Sequence, residues 1–274
     1  MGSKHPLPKK DDMASSADRH SLYEQSVQNV EAEIDMVDTT YRNIRGSTAT
    51  LLREDFCGTA NTSCEWVRRR PGNRAVGVDF SQEVLDWGLH HNVRQLDDHQ
   101  QTRIQLVNQD VRDPCEELAD IVIAMNFSYQ LFKTRDALRN YFRAVKAGLN
   151  EKGVFILDAY GGHESWRSIK EKTKYSGFTY YWHQEKYDPV TAHALCHIHF
   201  RFRDGSKLKK AFSYDWRMWT LPELQELLCE AGFNNVTVYW EGTDEETGEG
   251  NGIYHPCKHG EDDPSWIVYI SGER

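Results

Sequence analysis

The chain has 274 residues, 39% hydrophobic and 12% aromatic, which is enough for one large core or two small ones. Its formal net charge of −9 argues against broad, sequence-independent nucleic-acid binding, which needs a basic surface. No signal-peptide pattern and no apolar run of membrane-spanning length appears, and the six cysteines form no CxxC pair. The reading is therefore a cytoplasmic protein with free thiols and no membrane partner.

Residues 1–18 are polar and Ser-rich in part, and read as a disordered tail. Over 19–45, Leu22, Tyr23, Val27, Val30, Ile34 and Val37 recur at near-helical spacing, so one or two helices precede the first strand. Such a segment suits a lid, with Tyr23, Tyr41, Arg42 and Arg45 as residues to face a ligand. Thr50 to Ala60 then reads as a short buried strand, a small-residue turn and the start of a helix. That unit presents unpaired backbone N–H groups suited to a polar or anionic ligand.

Arg74 to Asp79 is a second buried strand with an acid at its end, and Ser81 caps the helix that follows. The separation from Glu54 to Asp79 is close to that between a glycine turn and a ribose-binding acid. A third strand, Arg103 to Val111, carries Asp110 near its end. Ala119 to Phe127 is a continuous apolar run with Asn126 at its polar end, as befits a central parallel strand. Residues 135–149 make an amphipathic helix, and Val154 to Gly162 is a fifth strand ending in Tyr160 and a glycine turn. Five strands alternating with helices signal an open, doubly wound α/β sheet with its ligand at the strands' carboxyl ends.

The motifs Glu54-Asp-Phe-Cys-Gly-Thr-Ala60, Val78-Asp79-Phe80 and Gln109-Asp110-Val111, with the strand ending at Asn126, resemble those of class I S-adenosylmethionine-dependent methyltransferases. The resemblance runs over about residues 45–274, with the first and third turn glycines replaced by Phe56 and Ala60. It implies S-adenosylmethionine as the cofactor and a seven-stranded sheet of order 3-2-1-4-5-7-6 with the last strand antiparallel. It also implies a cofactor site of Glu54, Phe56, Gly58, Ala60, Asp79, Phe80, Asp110, Val111 and Asn126. In that site Gly58 and its neighbours would pack on the methionine part. Asp79 would hold the ribose hydroxyls, with Phe80 beside the adenine. Asp110 would accept from the adenine amino group, and Val111 would donate its N–H to the ring. Asn126 would line the methionine and acceptor side. A dinucleotide-binding dehydrogenase is the competing reading, but the pyrophosphate-cradling glycines it needs are missing.

Within the methyltransferase domain, 46–274, residues 163–219 break the helical alternation and read as a three-stranded antiparallel insertion. Its aromatics suit a small organic or cationic acceptor, with Tyr23 from the lid and Trp182, Tyr214 and Trp216 as substrate candidates, and Trp219 as a further one. Tyr160, His163 and Glu164 follow the fifth strand and are the candidates for a base, His163 first, needed only when the acceptor must lose a proton. His197 with His199, and His255-x-Cys257-x-His259, lack complete ligand sets, so no metal is expected. The loop 243–252 is acidic and Gly-rich and reads as exposed, and an open insertion edge allows a homodimer. The expected function is methyl transfer to a small molecule. The alternatives are an RNA or protein methyltransferase and a non-catalytic S-adenosylmethionine-binding module.

Overall fold

The computed structural model describes residues 12–244, 246–248 and 250–274. The expected tail thus lies mostly outside the described residues, except that Met13–Ser16 form a short helix, α1, capped by Asp12. Its Met13 and Ala14 N–H groups donate to Asp204 Oδ2 (2.9 Å) and Ser206 Oγ (3.1 Å), which docks it on a hairpin turn far along the chain. Helices α2 (Arg19–Ser26) and α3 (Val30–Arg45) follow, as the periodicity predicts. Asp18 and Asn29 cap them, and Gly46 ends α3 in the left-handed region at φ 66°.

The alternating part runs β1 (Leu51–Asp55), α4 (Asn61–Arg69), β2 (Arg74–Asp79), α5 (Gln82–His91), α6 (Asp98–Gln101), β3 (Ile104–Asn108), β4 (Ala119–Ala124), α7 (Arg135–Gly148) and β5 (Leu149–Gly161). An antiparallel unit follows, of β6 (Ile169–Lys174), β7 (Phe178–Asp188), β8 (His193–Phe202) and β9 (Lys207–Arg217). The chain closes with α8 (Leu221–Glu230), β10 (Asn234–Thr243), β11 (Gly250–Cys257) and β12 (Trp266–Glu273).

Among the described residues these strands build one eight-stranded sheet, of order β11-β10-β12-β5-β4-β1-β2-β3, and one four-stranded sheet, of order β6-β7-β8-β9. Strands β1 to β5 pair in parallel, and β12 runs antiparallel to both neighbours. The expected strand order holds, with one strand more than seven. The extra strand is β11, which starts inside the segment read as a loop and pairs with β10. Its glycines and polar residues give it no apolar alternation, so only the pairing reveals it. Likewise β6 adds a fourth strand to the insertion. Its sequence, Ile-Lys-Glu-Lys-Thr-Lys, is that of an exposed edge guarded by charge.

Both faces of the large sheet are covered by helices. Leu138, Tyr141, Phe142 and Val145 of α7 and Leu224, Leu227 and Leu228 of α8 pack on one face. Ile34, Val37 and Tyr41 of α3 and Trp66 and Val67 of α4 pack on the other. This double burial explains why β4 is apolar at nearly every position and buried along most of its length. It also fixes three lid expectations. Tyr41 is core, Arg42 pairs with Asp38 (3.4 Å), and Arg45 pairs with Glu273 (2.5 Å), so none of the three turns to a ligand. No helix among the described residues is long and apolar enough to cross a membrane.

Candidate active site

The parallel strands deliver their carboxyl ends to one rim, and the first turn shapes it. Phe56 and Ala60 both sit at φ 57°, with Gly58 between them at 53°. The substituted turn therefore keeps a left-handed path that L residues adopt at a cost. Phe56 is held there by its ring, which lies 6.1 Å from that of Phe132 and 5.5 Å from that of Tyr141. Ala60 is fully buried and stands at the N-cap of α4, and it lines neither cavity.

Glu54 also departs from its expected role. Its carboxylate is buried and accepts from the Ser63 N–H (2.8 Å) and hydroxyl (2.5 Å), tying β1 to the first turn of α4. Burial pushes its carboxyl up to about 8 despite those hydrogen bonds. The neighbouring acid, Asp55, is buried against Arg53 (2.6 Å) and the Tyr141 hydroxyl (2.9 Å). Arg53 in turn donates to the Val111 carbonyl at 2.6 Å, which fixes the end of the third strand unit.

Asp79 stands at the end of β2. Its Oδ2 accepts from the Gly58 N–H (2.9 Å) and its Oδ1 from the Ser81 N–H (2.8 Å), so the turn and the next helix both orient it. Phe56, Asp79, Phe80, Asp110 and Val111 line one cleft of about 600 Å³, closed on the far side by Tyr214 and Trp216. Phe80 is 80% exposed there, a large ring left in water at the rim. Asp110 is gripped by Arg112 (2.9 and 2.6 Å), and that pairing holds its carboxyl below the usual range. An oriented strand-end carboxylate, a bare aromatic face and a second acid fit a nucleoside: hydroxyls to Asp79, a base against Phe80, an exocyclic amine to Asp110. Any ligand amine at Asp110 would share that carboxylate with Arg112.

A second cavity, of about 510 Å³, opens on the other side of Tyr214 and Trp216, which both cavities share. Three layers enclose it: α2 and α3 above, the strand ends of β4 and β5 below, and the four-stranded sheet at the side. All four substrate candidates, Tyr23, Trp182, Tyr214 and Trp216, face it. The rings of Tyr214 and Trp216 stack at 4.5 Å, and each lies 6.1 Å from Trp182. Trp219 is elsewhere, buried in the main core with its N–H on the Phe132 carbonyl (3.2 Å).

Asn126 lines this cavity with its neighbour Phe127, and both adopt φ 58°. Two consecutive left-handed L residues are costly, and Asp158 of β5 offsets the cost by accepting both their N–H groups, at 2.7 and 2.9 Å. Burial raises the Asp158 carboxyl to about 8. Tyr160 faces the cavity, but its hydroxyl is engaged by Gln184 Oε1 (3.0 Å), and burial raises its pKa, so it holds its proton and positions rather than accepts. His163 is exposed and lines neither cavity.

Sequence reasoning passed over Glu33, Phe127, Asp158, Tyr180 and Tyr254, all on the walls of the second cavity. Asp158 did leave a signal: one acid inside the otherwise apolar run Val154 to Ala159 of a buried strand. Glu33 left a weaker one, an acid bordering the apolar stripe of α3. Among the described residues no group of three or more His, Cys, Asp or Glu is arranged to hold a metal ion.

Residues 57–148 match the family model described as a methyltransferase domain. No curated protein matches the sequence. Among solved structures, an S-adenosylmethionine-dependent methyltransferase from Clostridium acetobutylicum is 16% identical with a TM-score of 0.64, over 93% of this chain and 96% of that one. CalS10, an amino pentose methyltransferase from Micromonospora echinaspora, is 17% identical with a TM-score of 0.64, over 92% and 95%. The sugar N-methyltransferase KedS8 from Streptoalloteichus is 16% identical with a TM-score of 0.64, over 100% and 98%. At these identities the likeness is one of fold, and it spans both cavities. Residues 57–148 are thus similar to a methyltransferase domain, and the chain as a whole shares the fold of these solved S-adenosylmethionine-dependent methyltransferases.

Proposed function

We propose that the protein is an enzyme that transfers the methyl group of S-adenosylmethionine to a small-molecule acceptor. The observation that carries this is the shared wall: a nucleoside-sized cleft and an aromatic cavity meet at Tyr214 and Trp216. In this reading Asp79, Phe80 and Asp110 hold the adenosine, and the turn around Gly58 and the Asn126 elbow flank the methionine part. The methyl donor is a sulfonium whose carbon–sulfur bond breaks, its electron pair passing to sulfur, as the acceptor's lone pair bonds to the methyl carbon. The protein's part is to line up the two molecules and exclude water, because displacement from a sulfonium needs chiefly position and a dry site.

Tyr23, Trp182 and Trp216 form the walls that orient the acceptor. The cavity's size, about 510 Å³, and its aromatic lining support a small acceptor rather than RNA or a protein segment. The sugar methyltransferases with this fold point the same way.

The test is turnover on a pool of small metabolites. Protein and S-adenosylmethionine are incubated with a cell extract stripped of macromolecules, and S-adenosylhomocysteine formation is followed together with one-methyl mass gains. The reading expects product from the small-molecule pool that falls at least about tenfold in Trp216→Ala. Methylation confined to the macromolecular fraction would overturn it.

A further inference from the structure

The second cavity has a one-sided charge. Glu33, Asp158, Glu171 and Glu241 stand on its walls, while no Lys, Arg or His among the described residues lines it. A fifth acid, Glu164, is paired with Arg167. The other four have no basic side chain within ion-pair distance among the described residues. Their partners are neutral. Asp158 accepts from two backbone N–H groups, and Glu33 accepts from the Asn29 N–H (3.3 Å) and the Thr62 hydroxyl (3.4 Å). Glu241 accepts from the Gly252 N–H (2.8 Å) and the Tyr254 hydroxyl (3.4 Å).

Between these carboxylates stand Trp182, Tyr214, Trp216, Tyr180 and Tyr254, whose ring faces carry negative charge. Burial raises the Glu33 and Asp158 carboxyls, and repulsion from Glu33 adds to the rise at Asp158, while Glu171 stays exposed. A bound cation relieves that repulsion and gains from the rings at the same time. An anionic acceptor meets nothing that would hold it.

We infer that the acceptor is an amine that enters this cavity as its ammonium cation. This rests on the methyltransferase reading and narrows it to nitrogen. To react, the ammonium gives one proton to a wall carboxylate. The freed lone pair then bonds to the methyl carbon as the carbon–sulfur electrons return to sulfur, and the methylated amine leaves with the positive charge.

The test uses three probes of one shape and different charge: benzylamine, benzyl alcohol and benzoate. Each is titrated calorimetrically into the full chain near neutral pH, with and without saturating S-adenosylhomocysteine. The inference expects benzylamine to bind at least about tenfold more tightly than benzyl alcohol, with no binding of benzoate. It expects Glu171→Gln combined with Glu241→Gln to erase most of that preference while benzyl alcohol binding stays the same. Equal binding of amine and alcohol, preference for benzoate, or no binding of benzylamine in either state would overturn it. S-adenosylhomocysteine binding is read separately. Its absence would count against the methyltransferase reading, while the titrations without it still report the charge preference.

Discussion

Four L residues at the site hold left-handed backbone: Phe56, Ala60, Asn126 and Phe127. Three of them are held by neighbours, Phe56 by aromatic packing and the Asn126–Phe127 pair by Asp158. Two of the acids beneath them, Glu54 and Asp158, are raised to about 8 by burial. For Glu54 the sign follows directly. The folded protein keeps a proton that the unfolded chain loses near its ordinary value of 4.5. The stability tied to that proton is complete below the unfolded value and is lost as pH climbs through about 8. Glu54→Gln keeps an acceptor for Ser63 and has no such proton. Its Tm should therefore fall less than the wild type's between about pH 5 and about pH 8, by several degrees, in thermal melts at stepped pH. Parallel pH curves for the two proteins would show that Glu54 titrates normally. At this scale the place of Asp79 and Asp110 at or just beyond strand ends on one cleft was legible, because an acid ending an apolar strand is visible as a break in pattern. Glu54 was misplaced, because a strand-end acid looks the same whether it turns to the ligand or to the helix beside it.

The lid and the insertion meet over the cofactor turn through a few polar ties. Glu24 of α2 accepts from the Thr59 hydroxyl (2.6 Å) and from Asn92 (2.7 Å), joining the lid to the turn and to the end of α5. Asn61 donates to Gln28 (3.1 Å), and the Tyr175 hydroxyl donates to the Ser26 carbonyl (3.0 Å). Tyr23 adds an apolar tie, its ring 5.0 Å from that of Phe212. Glu24→Ala removes two hydrogen bonds to a carboxylate, each worth about 1.5–3 kcal/mol at most. Amide exchange over 19–26 should rise about tenfold or more, while α7 stays protected. Unchanged exchange in α2 would mean that packing alone seats the lid. Trp182→Leu in the insertion should raise the acceptor's KM severalfold and leave S-adenosylhomocysteine affinity unchanged, measured by steady-state kinetics and calorimetry. A matched loss in both would place Trp182 in the cofactor site instead. The helices and parallel strands were legible because two-sided burial writes period and continuity into them. Strands β6 and β11 were not, because edge strands in water carry charge and glycine instead of alternation. The free edge of β6 bears Lys170, Lys172 and Lys174, which opposes pairing between subunits through that edge.

The molecule as a whole sets one cleft at the ends of β2 and β3 against an acidic, aromatic cavity at the ends of β4 and β5. The large sheet fixes the distance between them, and α2, α3 and the four-stranded sheet wall the second. The net charge of −9 is consistent with that cavity's sign and with an acceptor drawn in by it. The fold was readable from the alternation of strands and helices. The acceptor's charge was not, because residues 33, 158, 171 and 241 lie far apart in sequence and meet only when lid, sheet and insertion assemble. The central claim is that the cleft holds the methyl donor's nucleoside. The most direct test is calorimetric titration of S-adenosylhomocysteine into the wild type, Asp79→Ala and Asp110→Ala. Binding near one ligand per chain is expected, weakened about tenfold or more by each change. No binding to the wild type, or binding that neither change weakens, would contradict it.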